Sequence, residues 1–156
     1  MRRLIMALSI LLSLPIYAES LYVFVPTEVR AKAIQEQISG ICKGAEVTVF
    51  GRAKDFHKQV KSNPPNAILS LLPVIEYSKG YNTVLKGTRS GQEVEDYVVV
   101  AVDKPIPLSE IGSRKIGVVD LLGRKPMSEF VSQLFQTDVK LKRVTKVEDL
   151  LPLLSF

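Results

Sequence analysis

Short β-rich runs alternate along this chain with stretches whose apolar residues recur every three or four positions. Residues 21–25 (Leu-Tyr-Val-Phe-Val) form an uninterrupted apolar run closed by Pro26, the pattern of a strand buried on both faces. Thr27 is placed to cap a following helix, with Glu28 in its first turn. Val29, Ala33, Ile34, Ile38 and Ile41 give that helix one apolar stripe, and Lys43-Gly44 closes it. A second strand is expected over 46–50, a second helix over 53–62 with Phe56 and Val60 inward, and a stop at Asn63-Pro64-Pro65. A third strand then covers 67–72. Strand–helix–strand–helix–strand with short connections predicts a parallel sheet with right-handed crossovers, so the fold class is α/β.

The middle of the chain breaks this rhythm. Residues 73–78 suit a helical turn, 83–86 a short strand, and 95–102 a long β-rich strand. Pro105 and Pro107 then stiffen a linker, since each ring fixes φ and removes a donor. Beyond it the alternation resumes. One turn is expected at 108–111, a strand at 115–119, and a helix over 127–135 with Phe130, Val131, Leu134 and Phe135 inward. A strand at 139–144 follows, and a last helix begins at Val147, with Pro152 inside it. The expected organisation is a first α/β lobe at 19–96, a crossing strand and linker at 97–107, and a partial second α/β lobe at 108–156.

The first residues change the picture of where the chain works. Arg2 and Arg3 precede an apolar run from Leu4 to Ile16, and Ala18 offers a small residue for cleavage before Glu19. That order is a secretory signal peptide over 1–18, which places the mature chain in the periplasm. The other reading is an uncleaved anchor; the run is shorter than the ~20 residues a membrane span needs. Cleavage removes Arg2 and Arg3, so 19 basic side chains face 16 acidic ones and the charge falls from +5 to +3. This balance gives no reason to expect nucleic acid as a partner, and no later stretch is apolar enough to insert in a membrane. The basic string Lys140-Leu141-Lys142-Arg143 alternates as a solvated strand face does. Cys42, the sole cysteine, excludes an intrachain disulfide; it is either an inert buried thiol or the site of an intermolecular bridge.

Candidate chemistry is sparse. His57 is the sole histidine and falls on the polar side of the second helix, which leaves no pair of imidazoles for a metal or a hydrolase. There is no Gly-x-Ser-x-Gly elbow, Walker loop or Gly-x-Gly-x-x-Gly. Glu93, Glu95 and Asp96 lie in a polar turn, where carboxylates do acid–base work only if a fold buries them. Catalysis is therefore not expected, and no cofactor or metal is implied. Binding requires less. In open α/β sheets ligands sit beyond the carboxyl ends of the strands, where free helix-opening N–H groups favour anions. The junctions with such potential hold Thr27, Arg52, Ser70, and Arg124 with Lys125, the last pair just after Gly123. Each of the cations has a plainer reading as a solvated loop residue.

Several strings together resemble the periplasmic solute-binding proteins of the phosphate/phosphonate transporter type, the class with two lobes and a hinge. They are the opening strand with Pro26-Thr27-Glu28, Asn66-Ala67-Ile68-Leu69-Ser70-Leu71-Leu72-Pro73, the run from Tyr97 to Asp103 with Lys104-Pro105-Ile106, and Lys115-Ile116-Gly117-Val118-Val119-Asp120. The resemblance implies lobes built on parallel sheets, a small anionic solute held between them at Thr27, Arg52, Ser70, Arg124 and Lys125, and an inner-membrane transporter or sensor as partner. Two departures stand out. Family members carry a Ser/Thr-rich anion loop where this chain has Asp120-Leu121-Leu122-Gly123, and their chains run on to complete the second lobe. The second departure favours an alternative: a non-catalytic envelope accessory module that reuses the lobe fold and offers an open sheet edge to a partner strand.

Overall fold

A computed structural model describes residues 19–88, 90–93, 98–102 and 104–155. The signal peptide expected over 1–18, the acids Glu95 and Asp96, and Tyr97 at the head of the expected crossing strand lie outside the described residues.

The first half of the chain follows its apolar pattern closely. It runs β1 (Glu19–Phe24), α1 (Ala31–Ile41), β2 (Ala45–Val49), α2 (Ala53–Ser62), β3 (Ala67–Ser70) and α3 (Leu72–Tyr77). The strands form one parallel sheet in the order β2-β1-β3, with Leu21 beside both Val47 and Ala67. Each parallel neighbour is reached through a helix, because a parallel return cannot be made by a tight turn. As the central strand, β1 buries Tyr22, Val23 and Phe24 in succession, as a continuous apolar run should. Polar side chains tie the sheet's margins. Asn66 Oδ1 accepts from Ser20 N at 2.8 Å, while Asn63 Nδ2 donates to the Tyr22 hydroxyl at 3.1 Å.

The second half comprises a 3-10 turn (Leu108–Ser113), β4 (Lys115–Val119), α4 (Arg124–Phe135) and β5 (Lys140–Val144), then short 3-10 turns at Val147–Asp149 and Leu151–Ser155. β4 and β5 pair in parallel, Ile116 beside Leu141 and Val119 beside Val144. A two-stranded sheet is marginal alone and needs cover. Gly117 gives it some: a Cβ at this glycine would lie 2.9 Å from Leu153 Cδ1, so the bare Cα lets the C-terminal turns settle on the strand.

One apolar cluster serves both sheets. Tyr22, Phe24, Ala53, Phe56 and Val74 from the first half are packed with Leu121, Leu122, Met127 and Val131 from the second. Phe56 is fully buried at its centre, 5.5 Å from the Phe24 ring and 5.6 Å from Phe50 between centroids. Expectation and structure differ on α4. The helix starts at Arg124 rather than Met127; Met127 and Val131, one i, i+4 step apart, are its buried residues, while Leu134 in the last turn is 52% exposed. α1 likewise starts after its expected cap. Arg30 precedes the first turn, Val29 is outside the helix and half exposed, and Ile41 at the end is exposed. The helix expected from Val147 is instead the pair of 3-10 turns.

The expected strand at 83–86 does not form, and none forms over 98–102, the described part of the one expected at 95–102. No strand occurs among the described residues of 79–107, and Val84 and Val98 are 87% and 79% exposed. β-branched side chains favour a strand where they pack on a pleated neighbour; among the described residues no strand pairs with this segment. The described part of the expected crossing strand is thus an irregular connection.

Candidate functional site

The carboxyl ends of β1, β2 and β5 converge. Thr27 beyond β1, Phe50 and Gly51 beyond β2, and Thr145 and Lys146 beyond β5 line one crevice, floored by Ile34 of α1. Its volume is about 30 Å³, room for about one water molecule. The polar groups at its walls point to one sign of ligand. Thr27 Oγ1 accepts from Val29 N at 3.2 Å, which leaves the hydroxyl hydrogen free to donate. Lys146 Nζ gives one of its three donors to Glu148 at 3.3 Å. Glu148 is pulled below the ordinary carboxylate value, first by a hydrogen bond from its own backbone N–H and then by Lys146. Hydroxyls and an ammonium together suit an acceptor-rich or anionic solute.

Of the five residues singled out from the sequence, only Thr27 reaches this crevice. It does so without capping α1, whose N-cap is Arg30; the Thr27 hydroxyl closes a local turn instead. Arg52 is the N-cap residue of α2, exposed and making no side-chain cap. Ser70 donates its hydroxyl to Phe24 O, so its hydrogen is committed to joining β3 to β1. Arg124 and Lys125 are the first two residues of α4 rather than a loop ahead of it, and both are exposed. Lys125 leans on Glu129 at 3.8 Å, a pairing one turn along its own helix.

The β4–α4 junction, expected to offer an anion site, is already filled. Asp120 Oδ1 accepts from Gly123 N at 2.7 Å, and Asp120 Oδ2 meets Arg143 Nη1 at 2.5 Å. The chain's own carboxylate sits where the turn's amide and a cation converge. Arg143, read from its string as part of a solvated face, is half-buried for this reason. The pairing depends on strand register. Arg143 lies beside Val118, and Asp120 N donates to Val144 O at 2.8 Å, which brings acid and base to one end of the pair.

His57 also differs from expectation. Rather than facing solvent, its Nε2 is 2.8 Å from Leu121 O, and because a carbonyl only accepts, that nitrogen carries the hydrogen. Its ring meets Tyr77 edge-on at 5.3 Å. Leu121 and Leu122 beyond it are 4% and 6% exposed. Asp120 with Arg143, and His57 with Leu121, were not legible as pairs because the partners lie 23 and 64 residues apart in sequence, and Thr145 and Lys146 join the crevice only through the way the halves meet. The one available signal was an acid at the end of one predicted strand and an arginine near the end of the next.

Among the described residues no cluster of three or more His, Cys, Asp or Glu side chains could hold a metal ion, and no helix is long and apolar enough to cross a membrane. Cys42 is a half-buried free thiol at the C-cap of α1. No family model, curated protein or solved structure matches the chain.

Proposed function

We propose that the chain is an exported, non-catalytic solute-binding protein of the phosphate/phosphonate transporter type, holding a small anionic solute between two α/β halves and delivering it to an inner-membrane transporter or sensor. One observation carries this reading. Strand ends from both halves converge on a crevice bordered by two donors, the Thr27 hydroxyl and the Lys146 ammonium, the latter with two of its three donors beyond its pairing with Glu148. Parallel strands ending beside helix starts make the same position a ligand site in open α/β sheets generally. Thr27 stays in the proposed site; Thr145 and Lys146 replace Arg52, Ser70, Arg124 and Lys125.

The test is calorimetry and thermal unfolding of the mature chain, begun at Glu19, with phosphate, methylphosphonate and small carboxylates. One of these should raise the melting temperature at millimolar concentration, and Lys146→Ala should remove most of that rise. No response to any of them overturns the proposal. Export is tested separately, by fractionation and by sequencing the N-terminus of the mature protein.

A second reading, an envelope accessory module that binds a protein strand, is favoured by the exposed β-rich run Val98, Val99, Val100 and Val102. Such a run adds readily to a sheet edge. On that reading, replacing Val98 and Val100 with threonine releases a stoichiometric partner, and no solute alters stability.

A further inference from the structure

The crevice has room for about one water, whereas phosphate carries five heavy atoms, so a solute enters only if the two halves move apart. On the side of α2 and α3, the contact that would have to part is built around the loop Asp120–Gly123. His57 of α2 donates to Leu121 O at 2.8 Å, with Tyr77 of α3 edge-on to the imidazole. Leu121 and Leu122 are seated in the cluster that contains Phe24, Phe56 and Val74. The loop's posture is fixed from behind, where Asp120 accepts from Gly123 N and pairs with Arg143.

We infer that this loop is a latch: with no solute bound, His57 and the Leu121-Leu122 wedge hold the halves shut, and the crevice becomes accessible when they release. Asp120 and Arg143 are positioning residues, acting through the shape of the loop. The solute's part in this rests on the function proposed above; the latch itself does not. A latch of this kind also sets affinity, since a site open only a fraction of the time binds more weakly by that fraction.

Thiol labelling reads the latch directly. Val131 lies in the shared cluster on α4, whereas Val23, 1% exposed on β1, is buried outside that cluster. In a Cys42→Ser background, Val131→Cys becomes reactive when the halves part, and Val23→Cys only when the first half itself unfolds. The expected result is faster labelling at position 131 than at 23. Replacing His57 with phenylalanine keeps a ring and removes the donor; it should speed labelling at 131 about fivefold, the worth of one hydrogen bond, with 131 still faster than 23. Equal rates at the two positions, or no change at 131 in His57→Phe, overturn the latch, because a histidine that only stabilises the whole fold leaves the two positions labelling at one rate. Should Val131→Cys fail to fold, Met127→Cys in the same cluster takes its place. Phosphate, added at millimolar concentration, should alter labelling at 131 if it binds between the halves. No effect of phosphate or its analogues counts against the proposed function and leaves the latch standing.

Discussion

The junctions β2–α2 and β4–α4 share one local recipe, a parallel strand running through a glycine-bearing turn and a cation into a helix. At the first, Arg52 is exposed and makes no side-chain cap. At the second, Asp120 takes the turn's amide and draws Arg143 from the neighbouring strand, while the next two residues of the loop sink into the core. The difference teaches that glycine and cations do not by themselves make an anion site. What decides is whether an acid within the turn claims the donors first. The first junction borders the crevice through Gly51; the second serves to join the halves.

Substitutions at the two junctions sharpen that contrast, beginning with the largest effect. Leu122→Ala should lower unfolding free energy by about 2–5 kcal/mol in a denaturant titration, because a 6%-exposed leucine leaves a cavity. Arg52→Ala at the other junction should stay within about 0.5 kcal/mol, as exposed substitutions do. Gly123→Ala comes next. Its φ of 87° with ψ of 176° is a conformation open in practice to glycine alone, so alanine should cost about 1–3 kcal/mol. Gly51→Ala, with open space around the added methyl, should cost much less in the same assay.

Arg143→Gln should destabilise by about 1–2 kcal/mol, reduced from the fully buried case because the paired side chains are 25% and 20% exposed. Adding Asp120→Asn should recover part of the loss; a double variant no better than the single one would break the claim that Asp120 needs its counter-charge. The smallest effect lies away from both junctions. Burial raises the Tyr81 hydroxyl above its ordinary value of 10.0, with the nearby Tyr22 adding to it. A raised value means that folding favours the neutral phenol. The associated stability is present below pH 10 and lost as pH rises through the folded value. Tyr81→Phe should flatten that alkaline loss and also remove the bond to Pro65 O at 3.0 Å.

The α/β rhythm was legible because each strand and helix announces itself locally. β1 did so by an unbroken apolar run, and α2 by Phe56 and Val60 one turn apart. Where identity depended on distant partners, reading failed in identifiable ways. The valines near 98–102 carry strand preference, yet among the described residues no strand pairs with them and they are irregular. Leu134 shares the side of α4 that holds Met127 and Val131, yet it sits in the last turn and is 52% exposed; periodicity gives a face, not how far along the helix the core extends. Of the site, Thr27 was found because its position beyond β1 follows from order along the chain. Lys146, Asp120–Arg143 and His57 depend on strand register and on how the two sheets meet, neither of which periodicity encodes.

A single missing methyl group governs how the second sheet is roofed. The tip of Leu153 rests where a side chain on residue 117 would begin, so a larger residue there would make that leucine give way and loosen its seat on the strand. The last turns of the polypeptide are in that sense a shutter for β4, hinged on nothing more than a hydrogen atom.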